Sequence, residues 1–527
     1  MMITEKIKNN LVLCLILLAG LAVRLYNLTN TPLWYDETVS VANAQKPFAY
    51  FFGIPHTFSY KTLYFVFLKL WIALFGPWDC PLRMLSVFFG IVSVYLIYRL
   101  AALIYNKHVG LWSAFLLSIS TFHIYHSRQV RHYTLMVLLV ILSFYFFVKF
   151  FQKQKRVDSF FNTAVNFLVL NTHPYGSLVI LTQFFLALLA PIKAGKLKSV
   201  LEWTFWQAAV VFFYVVFSVY PALFFLQEKT WWIPKLTFFV FPEMFLTLIS
   251  GIPRYGLDDY PIPLSFLIPP LIFSIPIFYL LVRGIGEELS SRDKVSPSGT
   301  KTFSGKVMLC WFLVPLISAF LISQFKSLFV IKHLIYILPA FLILIARGIE
   351  ALRAAVFKVA LVVLFVLNSI YSISILYNYD FNVNWKQPAQ YINSKLKAGD
   401  AIVVSTAKEM VPFFYYFDYL DKNKLKTLDI YGEWMRAKAR WREVFEYKGV
   451  SIIGVEQHIL GTPWGFHDFD KKYLRNKFNW KGKNMWLAVS RWGEGGYPDI
   501  ERRLSESHRM VKELKFNGVT LYYWEKL

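Results

Sequence analysis

The amino-acid sequence predicts a mainly α, polytopic helical membrane protein that carries a soluble α/β domain in its C-terminal part. Three observations carry that prediction. The 527 residues are 56% hydrophobic and 19% aromatic but only 17% charged, whereas soluble chains average about 45–50% apolar and about 25% charged. Apolar runs of roughly 20 residues recur along the chain, the length a helix needs to cross a bilayer with its backbone satisfied internally. After Tyr379 the composition changes to dense charge interrupted by short strand-like runs. In such a chain the net charge of +24 is no argument for nucleic acid. Lys and Arg at span ends suit anionic membrane lipids and anionic lipid substrates. Cys14 and Cys310 lie in apolar runs and Cys80 stands alone, so neither a disulfide framework nor a CxxC metal site is legible.

The first apolar run, 11–25, has no clear small-x-small cleavage site before Arg24 and is expected to be a retained span. Lys6 and Lys8 ahead of it place the N-terminus in the cytoplasm. The run 62–76 is short and carries Lys69. Counted as a span, it would put Lys153, Lys155 and Arg156 outside, against the positive-inside bias. It is therefore expected to lie along the outer face as a surface helix. Ten further spans are expected near 84–104, 109–125, 133–150, 159–172, 177–191, 201–225, 263–282, 307–324, 333–346 and 356–376, about 11 in all. The inner loops then hold Lys107, Lys193, Lys196, Lys198, Arg347 and Arg353, and the Ser/Gly/Lys-rich stretch 283–306 reads as a flexible inner linker. Residues 1–379 form the membrane domain. Residues 380–527 form an extracytoplasmic α/β domain of about 150 residues, with strands near 401–404, 450–453 and 519–524 and a helix over 387–396 closed by Gly399. The whole is a multi-pass protein of the cell membrane.

On this topology four polar stretches meet the outer side: Asp36-Glu37, 126–132 (HSRQVRH), 171–175 (NTHPY) and 326–333. Ionisable groups at membrane depth are costly and occur in partnership. Here an acidic pair accompanies Arg128, Arg131, Lys332 and Arg83. Such a set suits a reaction with an anionic lipid phosphate, the cations holding the phosphate while a carboxylate accepts a proton from an incoming hydroxyl. Plainer readings stand beside it. Asp36 also suits the N-cap of a short helix running to Gln45, Trp34 and Tyr35 suit an interfacial belt, Arg128 and Arg131 suit head-group anchors, and His173 suits a structural loop. Neighbours on a helix point about 100° apart, so one of Asp36 and Glu37 faces a site while the other supports it.

Taken in order, LWYDETVSVANAQ (33–45), TLYFVFLKLWIALFG (62–76), PLRMLSVFFGIVSVYLIYRL (81–100), FHIYHSRQVRHYTLMVLL (122–139) and NTHPYGSLVIL (171–181) resemble the GT-C superfamily of polyprenyl-phosphate-dependent glycosyltransferases. The similarity is greatest to bacterial and archaeal relatives of protein O-mannosyltransferases and of lipid A aminoarabinose transferases. IKHLIYILPAFLILIARGI (331–349) is a weaker echo. The resemblance covers about the first 190 residues well and the rest loosely. It implies an inverting, integral-membrane hexosyl or pentosyl transferase working at the extracytoplasmic face on a polyprenyl-phosphate-linked sugar. It further implies Asp36 as base, Glu37 as organiser of the loop, and Arg128, Arg131 and Tyr133 near the lipid phosphate, with His173 the histidine of a later outer loop. Two departures matter. Lys61 stands in Ser59-Tyr60-Lys61-Thr62-Leu63-Tyr64, where relatives carry a His/Asp-Pro-Pro-Leu-Tyr string, and Lys332-His333 stands where relatives commonly carry Arg-Tyr. A Lys meets a phosphate as a point charge rather than as a fork.

The acceptor is a protein, a glycolipid or a cell-wall polymer, and the sequence does not choose among them. No cofactor is expected. A lone Asp-Glu pair is a poor cage for a hard cation, and Asp258-Asp259 in the outer loop 226–262 is the one candidate partner for a divalent metal, the alternative reading. The same loop, with Trp231, Trp232, Arg254 and Tyr255, is expected to close over substrate as a lid. Two rival functions remain: a transporter or flippase for a lipid-linked sugar, which would favour repeated halves with midplane sites, and a non-catalytic envelope scaffold in which the acidic pair is only a cap.

Overall fold

The computed structural model describes residues 2–48, 51, 62–190, 197–216, 236–251, 264–290, 304–378, 383–405, 409–417, 445–447, 450–455, 483–491, 501–502 and 504–527. In chain order the helices are α1 (Met2–Leu25), α2 (Tyr35–Ala44), α3 (Thr62–Phe75), α4 (Asp79–Ile104), α5 (Lys107–Ile119), α6 (Thr121–Ser127), α7 (Tyr133–Lys153), α8 (Arg156–Leu170), α9 (Gly176–Leu189), α10 (Leu197–Tyr214), α11 (Val240–Ser250), α12 (Ile268–Ser290), α13 (Ser304–Phe325), α14 (Leu338–Glu350), α15 (Ala355–Asn378), α16 (Lys386–Lys395) and α17 (Met410–Phe417). A 3-10 turn, Ile331–Ile337, leads into α14. The strands are β1 (Ala401–Ser405), β2 (Phe445–Tyr447), β3 (Val450–Val455), β4 (Met485–Ser490), β5 (His508–Phe516) and β6 (Val519–Lys526).

A helix occupies each region read as a span. Among the described residues seven are long and apolar enough to cross a membrane: Ile7–Leu25, Asp79–Ile104, Tyr133–Lys153, Ile268–Ser290, Lys306–Phe325, Ile331–Glu350 and Ala355–Asn378. The helices at the other four positions, α5, α8, α9 and α10, have 13, 15, 14 and 18 residues. The chain is thus a mainly helical, multi-pass membrane protein with a sheet in its C-terminal part.

Two sequence expectations need correction. The linker expected over 283–306 is helical as far as Ser290. Its Glu288 turns toward α14 rather than solvent: Arg347 Nε sits 3.2 Å from Glu288 Oε1. Gly284 and Gly348 let the two backbones touch, since a Cβ on Gly284 would lie 1.9 Å from the Leu344 carbonyl oxygen and one on Gly348 2.0 Å from that of Leu280. Close approach through small residues is the usual way helices pack where water gives no driving force. The remainder of that linker, 291–303, lies outside the described residues. The outer loop 226–262 likewise contains a helix, α11, ended by Gly251 at φ +68°. Eleven residues are too few to span a bilayer, which is why hydropathy alone reads them as loop. Trp231, Trp232, Arg254, Tyr255, Asp258 and Asp259, the residues of the expected lid, lie outside the described residues.

The chain divides into two compact units, Met1–Leu28 with Pro47–Tyr379 and Thr29–Lys46 with Asp380–Leu527. The segment that carries Asp36 and Glu37 therefore folds with the C-terminal residues. In this second unit the strand order is β2-β3-β1-β4-β6-β5, with β3-β1-β4 parallel and the remaining pairs antiparallel. β4, buried along its whole length, is an unbroken apolar run, as a central strand covered on both faces should be. β5 forms the edge and exposes Arg509, Lys512 and Glu513, charges that discourage further strand pairing. Trp385, Ile402, Val404, Phe413, Ile452, Trp486 and Leu521 are part of the core.

Candidate functional site

The acid pair sits in the first turn of α2, and the structure separates its two roles. The N-cap is Trp34, not Asp36. Trp34 has no side chain suited to accept from the helix amides, and Glu37, at the third helical position, reaches back so that the Trp34 N–H donates to its Oε2 at 3.3 Å. This is the returning half of a capping box. Glu37 is fully buried while Asp36 is half-buried. The reading of Asp36 as the N-cap is therefore corrected: Glu37 does the capping, because the chain enters the helix two residues earlier than that reading requires. Two carboxylates in a first turn also sit well with the positive end of the helix dipole.

Within the helical unit a second constellation forms from three segments distant in sequence. The rings of His132 and His173 stack at 5.1 Å between centroids and only 5° between planes. His333 lies 4.6 Å from His173 and 6.4 Å from Tyr133. His126 packs 4.5 Å from Tyr133, the Arg131 guanidinium stands 5.7 Å over the Tyr133 ring, and Tyr175 completes the group 5.6 Å from His333. The turn that bears Arg131 and Tyr133 is pinned to α4: Ser86 Oγ donates to the Arg131 carbonyl at 3.2 Å, Thr134 Oγ1 donates to the Ser86 carbonyl at 3.1 Å, and Tyr64 Oη meets Ser86 Oγ at 3.1 Å. Tyr175 Oη donates to the Leu328 carbonyl, which fastens the turn after α8 to the segment leading into the 3-10 turn.

Burial here disfavours the charged forms of His126 and Tyr175. Burial, with the nearby charges of Lys332 and Arg131 adding to it and a 3.1 Å hydrogen bond with Gln129 opposing, lowers the His126 pKa to about 3. His126 is thus a neutral imidazole at physiological pH. Burial also raises Tyr175, against the effect of the backbone at Val330. Among the described residues His126 Nε2 and Tyr133 Oη are buried without a hydrogen-bond partner. Cations, neutral ring nitrogens and a phenol converging in one buried place are suited to an anion with several acceptor oxygens.

The other predicted cations are placed differently. Arg128 donates to the carbonyls of Tyr26 and, at 2.7 Å, Asn27, and its guanidinium lies 4.4 Å over the Tyr377 ring. Burial lowers its pKa. Arg83 is buried and donates to the Leu28 carbonyl at 2.7 Å. Both guanidiniums thus hold the chain that leaves α1. Arg24, buried at the end of α1, does related work: it donates to the Gly20 and Ser118 carbonyls at 2.8 and 2.9 Å and meets His123 Nδ1 at 2.8 Å. Lys61 lies outside the described residues. Sequence reasoning marked the stretches 126–132, 171–175 and 326–333 but gave no separate role to His126, His132 or Tyr175. The available signal was the recurrence of histidine at the ends of apolar runs.

Residues 62–220 match the family model of dolichyl-phosphate-mannose-protein mannosyltransferase. The fold is similar to that of ArnT from Cupriavidus metallidurans in the apo state, with a TM-score of 0.59 and 11% identity over 97% of each chain. It is similar also to the apo oligosaccharyltransferase of Archaeoglobus fulgidus, with a TM-score of 0.53 and 12% identity over 93% of this chain and 70% of that one. The same archaeal enzyme, AglB, solved in complex with an inhibitory peptide and a dolichol-phosphate, gives a TM-score of 0.51 and 13% identity over 98% of this chain and 74% of that one. No curated protein matches by sequence. The chain is a multi-pass membrane protein of GT-C fold. The family model covers less than half of the chain, and what the solved structures share with it is the fold.

Proposed function

We propose that the chain transfers a hexosyl or pentosyl group from a polyprenyl-phosphate donor to an acceptor at the extracytoplasmic face, with Asp36 as the base. The observation that carries this reading is the division of labour in α2. Glu37 is buried and caps the helix, whereas Asp36 beside it in the first turn is only half-buried and still reached from outside. In the proposed reaction an acceptor hydroxyl gives its proton to Asp36 as its oxygen attacks the anomeric carbon. The bond from that carbon to the phosphate oxygen breaks, its electron pair leaves with polyprenyl phosphate, and the anomeric configuration inverts in the single displacement.

Arg131 and Lys332 supply the positive charge for the leaving phosphate, so that no divalent metal is called for. Tyr133, His173 and His333 are the polar companions of these cations. Arg128 and Arg83 act one step back by holding the chain ahead of the acid pair. AglB, a neighbour in fold, has been solved with a dolichol-phosphate, and the match to a dolichyl-phosphate-mannose-dependent family supports a polyprenyl-phosphate donor here. Acceptors of protein, glycolipid and cell-wall type all meet the chemistry. The proposed topology has the N-terminus in the cytoplasm, residues 1–379 as the membrane domain and 380–527 outside, in the cell membrane.

Lipids retained by the purified protein test this reading by native mass spectrometry. Wild type should hold bare polyprenyl phosphate or nothing, while Asp36→Asn traps the sugar-loaded lipid. Transfer should fall by a factor of about 10²–10⁴, the range expected for loss of a general base. Equal retention of sugar-loaded lipid by both forms would instead indicate transport or simple binding.

A further inference from the structure

We infer that the C-terminal domain positions the catalytic acid, and that Tyr416 on α17 does so by holding the chain just ahead of α2. This inference rests on the reading of Asp36 as base. The Leu33 N–H donates to Tyr416 Oη at 2.6 Å, across 383 residues of sequence. Leu33 is fully buried, and leaving a buried amide without its acceptor is unfavourable. Asp36 follows three residues later, in the first turn of the helix that this hydrogen bond anchors.

The anchor is itself stiff. Just before α17 the buried Glu409 accepts from Trp385 Nε1 at 2.7 Å, and Phe413 meets Trp385 edge-on at 6.0 Å and stacks on Phe417 at 4.9 Å. These aromatic residues belong to the core that covers the sheet. Tyr416 is held on its own account: Tyr415 packs edge-on at 4.7 Å and Lys386 Nζ stands 5.9 Å over its ring. A path of packed and hydrogen-bonded groups therefore runs from the sheet core through Trp385, Glu409, Phe413 and Tyr416 to the Leu33 amide. A base must be placed closely, since a displacement of about 1 Å at a reacting group can cost about a hundredfold in rate. Nothing in the proposed chemistry requires a sheet domain. A rigid platform for a helix of only 10 residues does.

The test compares wild type, Tyr416→Phe and Asp36→Asn in the full-length protein, by transfer kinetics and by hydrogen exchange. Tyr416→Phe keeps the ring and removes only the acceptor. We expect kcat to fall about tenfold with the donor KM changed by less than about twofold, because position rather than donor binding is lost. Amides of 33–38 should exchange faster while those of β1 and β4 keep their protection. Loss of protection in β1 and β4 as well would make Tyr416 a packing residue and overturn the inference. Unchanged kinetics and unchanged exchange at 33–38, beside an inactive Asp36→Asn, would overturn it and leave the functional reading standing. An active Asp36→Asn would overturn the reading itself, and the positioning role with it.

Discussion

Between α7 and α10 the helical unit buries a set of amides and hydroxyls in which every partner is found. Asn162 Nδ2 donates to the Ser143 carbonyl at 2.9 Å, and its Oδ1 accepts from Trp203 Nε1 at 2.8 Å. Asn166 Nδ2 donates to Gln183 and Gln207, both at 2.8 Å, and its Oδ1 accepts from Ser143 Oγ at 2.5 Å. Gln183 Nε2 donates to Ser143 Oγ at 2.7 Å, and Gln207 Nε2 donates to Thr163 Oγ1 at 2.8 Å. The imidazole cluster of His126, His132, His173 and His333 is also buried or half-buried, but it is made of stacked rings beside cations, and among the described residues His126 Nε2 has no hydrogen-bond partner. The first set is what interhelical polar contacts are for in lipid, a glue that leaves nothing unsatisfied. The second holds like charges and unmet acceptors together at a cost in stability, a pattern that marks sites built for something other than folding. Burial of polar groups therefore says little by itself. What they bond to is informative.

The comparison is most directly broken at Arg131. In Arg131→Gln the proposed donor-phosphate contact loses its charge, and the donor KM or kcat/KM should worsen about 10–100-fold, the equivalent of about 1.5–3 kcal/mol for a charged hydrogen bond. The melting temperature should move less than the activity, since Gln keeps most of the side chain's stem where the guanidinium lies over the Tyr133 ring. An activity unchanged within twofold would return Arg131 to the role of a lipid anchor.

Asn166→Leu asks the converse of the glue. It strips acceptors and donors from Ser143, Gln183 and Gln207 at once, and the variant should lose about 1–3 kcal/mol of stability, the cost of leaving buried partners unpaired. Activity per folded molecule should stay at the wild-type level. Thermal unfolding in detergent together with single-turnover transfer would separate the two effects. A variant with full stability and reduced transfer would mean that this network, too, belongs to the site.

Much of this was legible in the sequence, and the limits have physical causes. A helix long enough to cross a membrane announces itself through a local run of apolar residues, so α1, α4, α7 and α13 to α15 could be placed by hydropathy. β1, β3 and β6 stood out as short β-branched or aromatic runs between turns. β4 (MWLAVS) and β5 (HRMVKELKF) did not, since an unbroken apolar run does not reveal its partner and a charged edge strand does not look like core. The continuation of α12 beyond residue 282 was hidden because its stabilising partner, Arg347, is 59 residues from Glu288. Asp36 and Glu37 were found as a pair, yet which of them caps depends on where the helix begins, and Trp34 gives no capping signal of its own. The grouping of Arg131, Tyr133, His173 and His333 followed from their order along the chain. The His132–His173 stack, and the turning of Arg128 toward the carbonyls of residues 26 and 27, depend on packing between distant segments and leave no trace in composition.

The smallest effect, and the sharpest discriminator between the two clusters, is the acid sensitivity of His126. Its folded pKa of about 3 lies below the ordinary value of about 6.5 for an unfolded chain. Between those values the unfolded state binds a proton that the folded state does not, so stability is fully present above pH 6.5 and declines as the pH falls toward 3. At pH 5 the loss from this one group is about 2 kcal/mol. His126→Gln removes the titrating group, so the drop in melting temperature between pH 7.5 and pH 5 should be smaller in the variant than in wild type. The amide network contains no group that titrates in this range, and Asn166→Leu should show the wild-type pH dependence from a lower starting point. Equal acid sensitivity in His126→Gln and wild type would mean that His126 is not held neutral by its surroundings, and the contrast between a satisfied and a strained polar cluster would lose its electrostatic half.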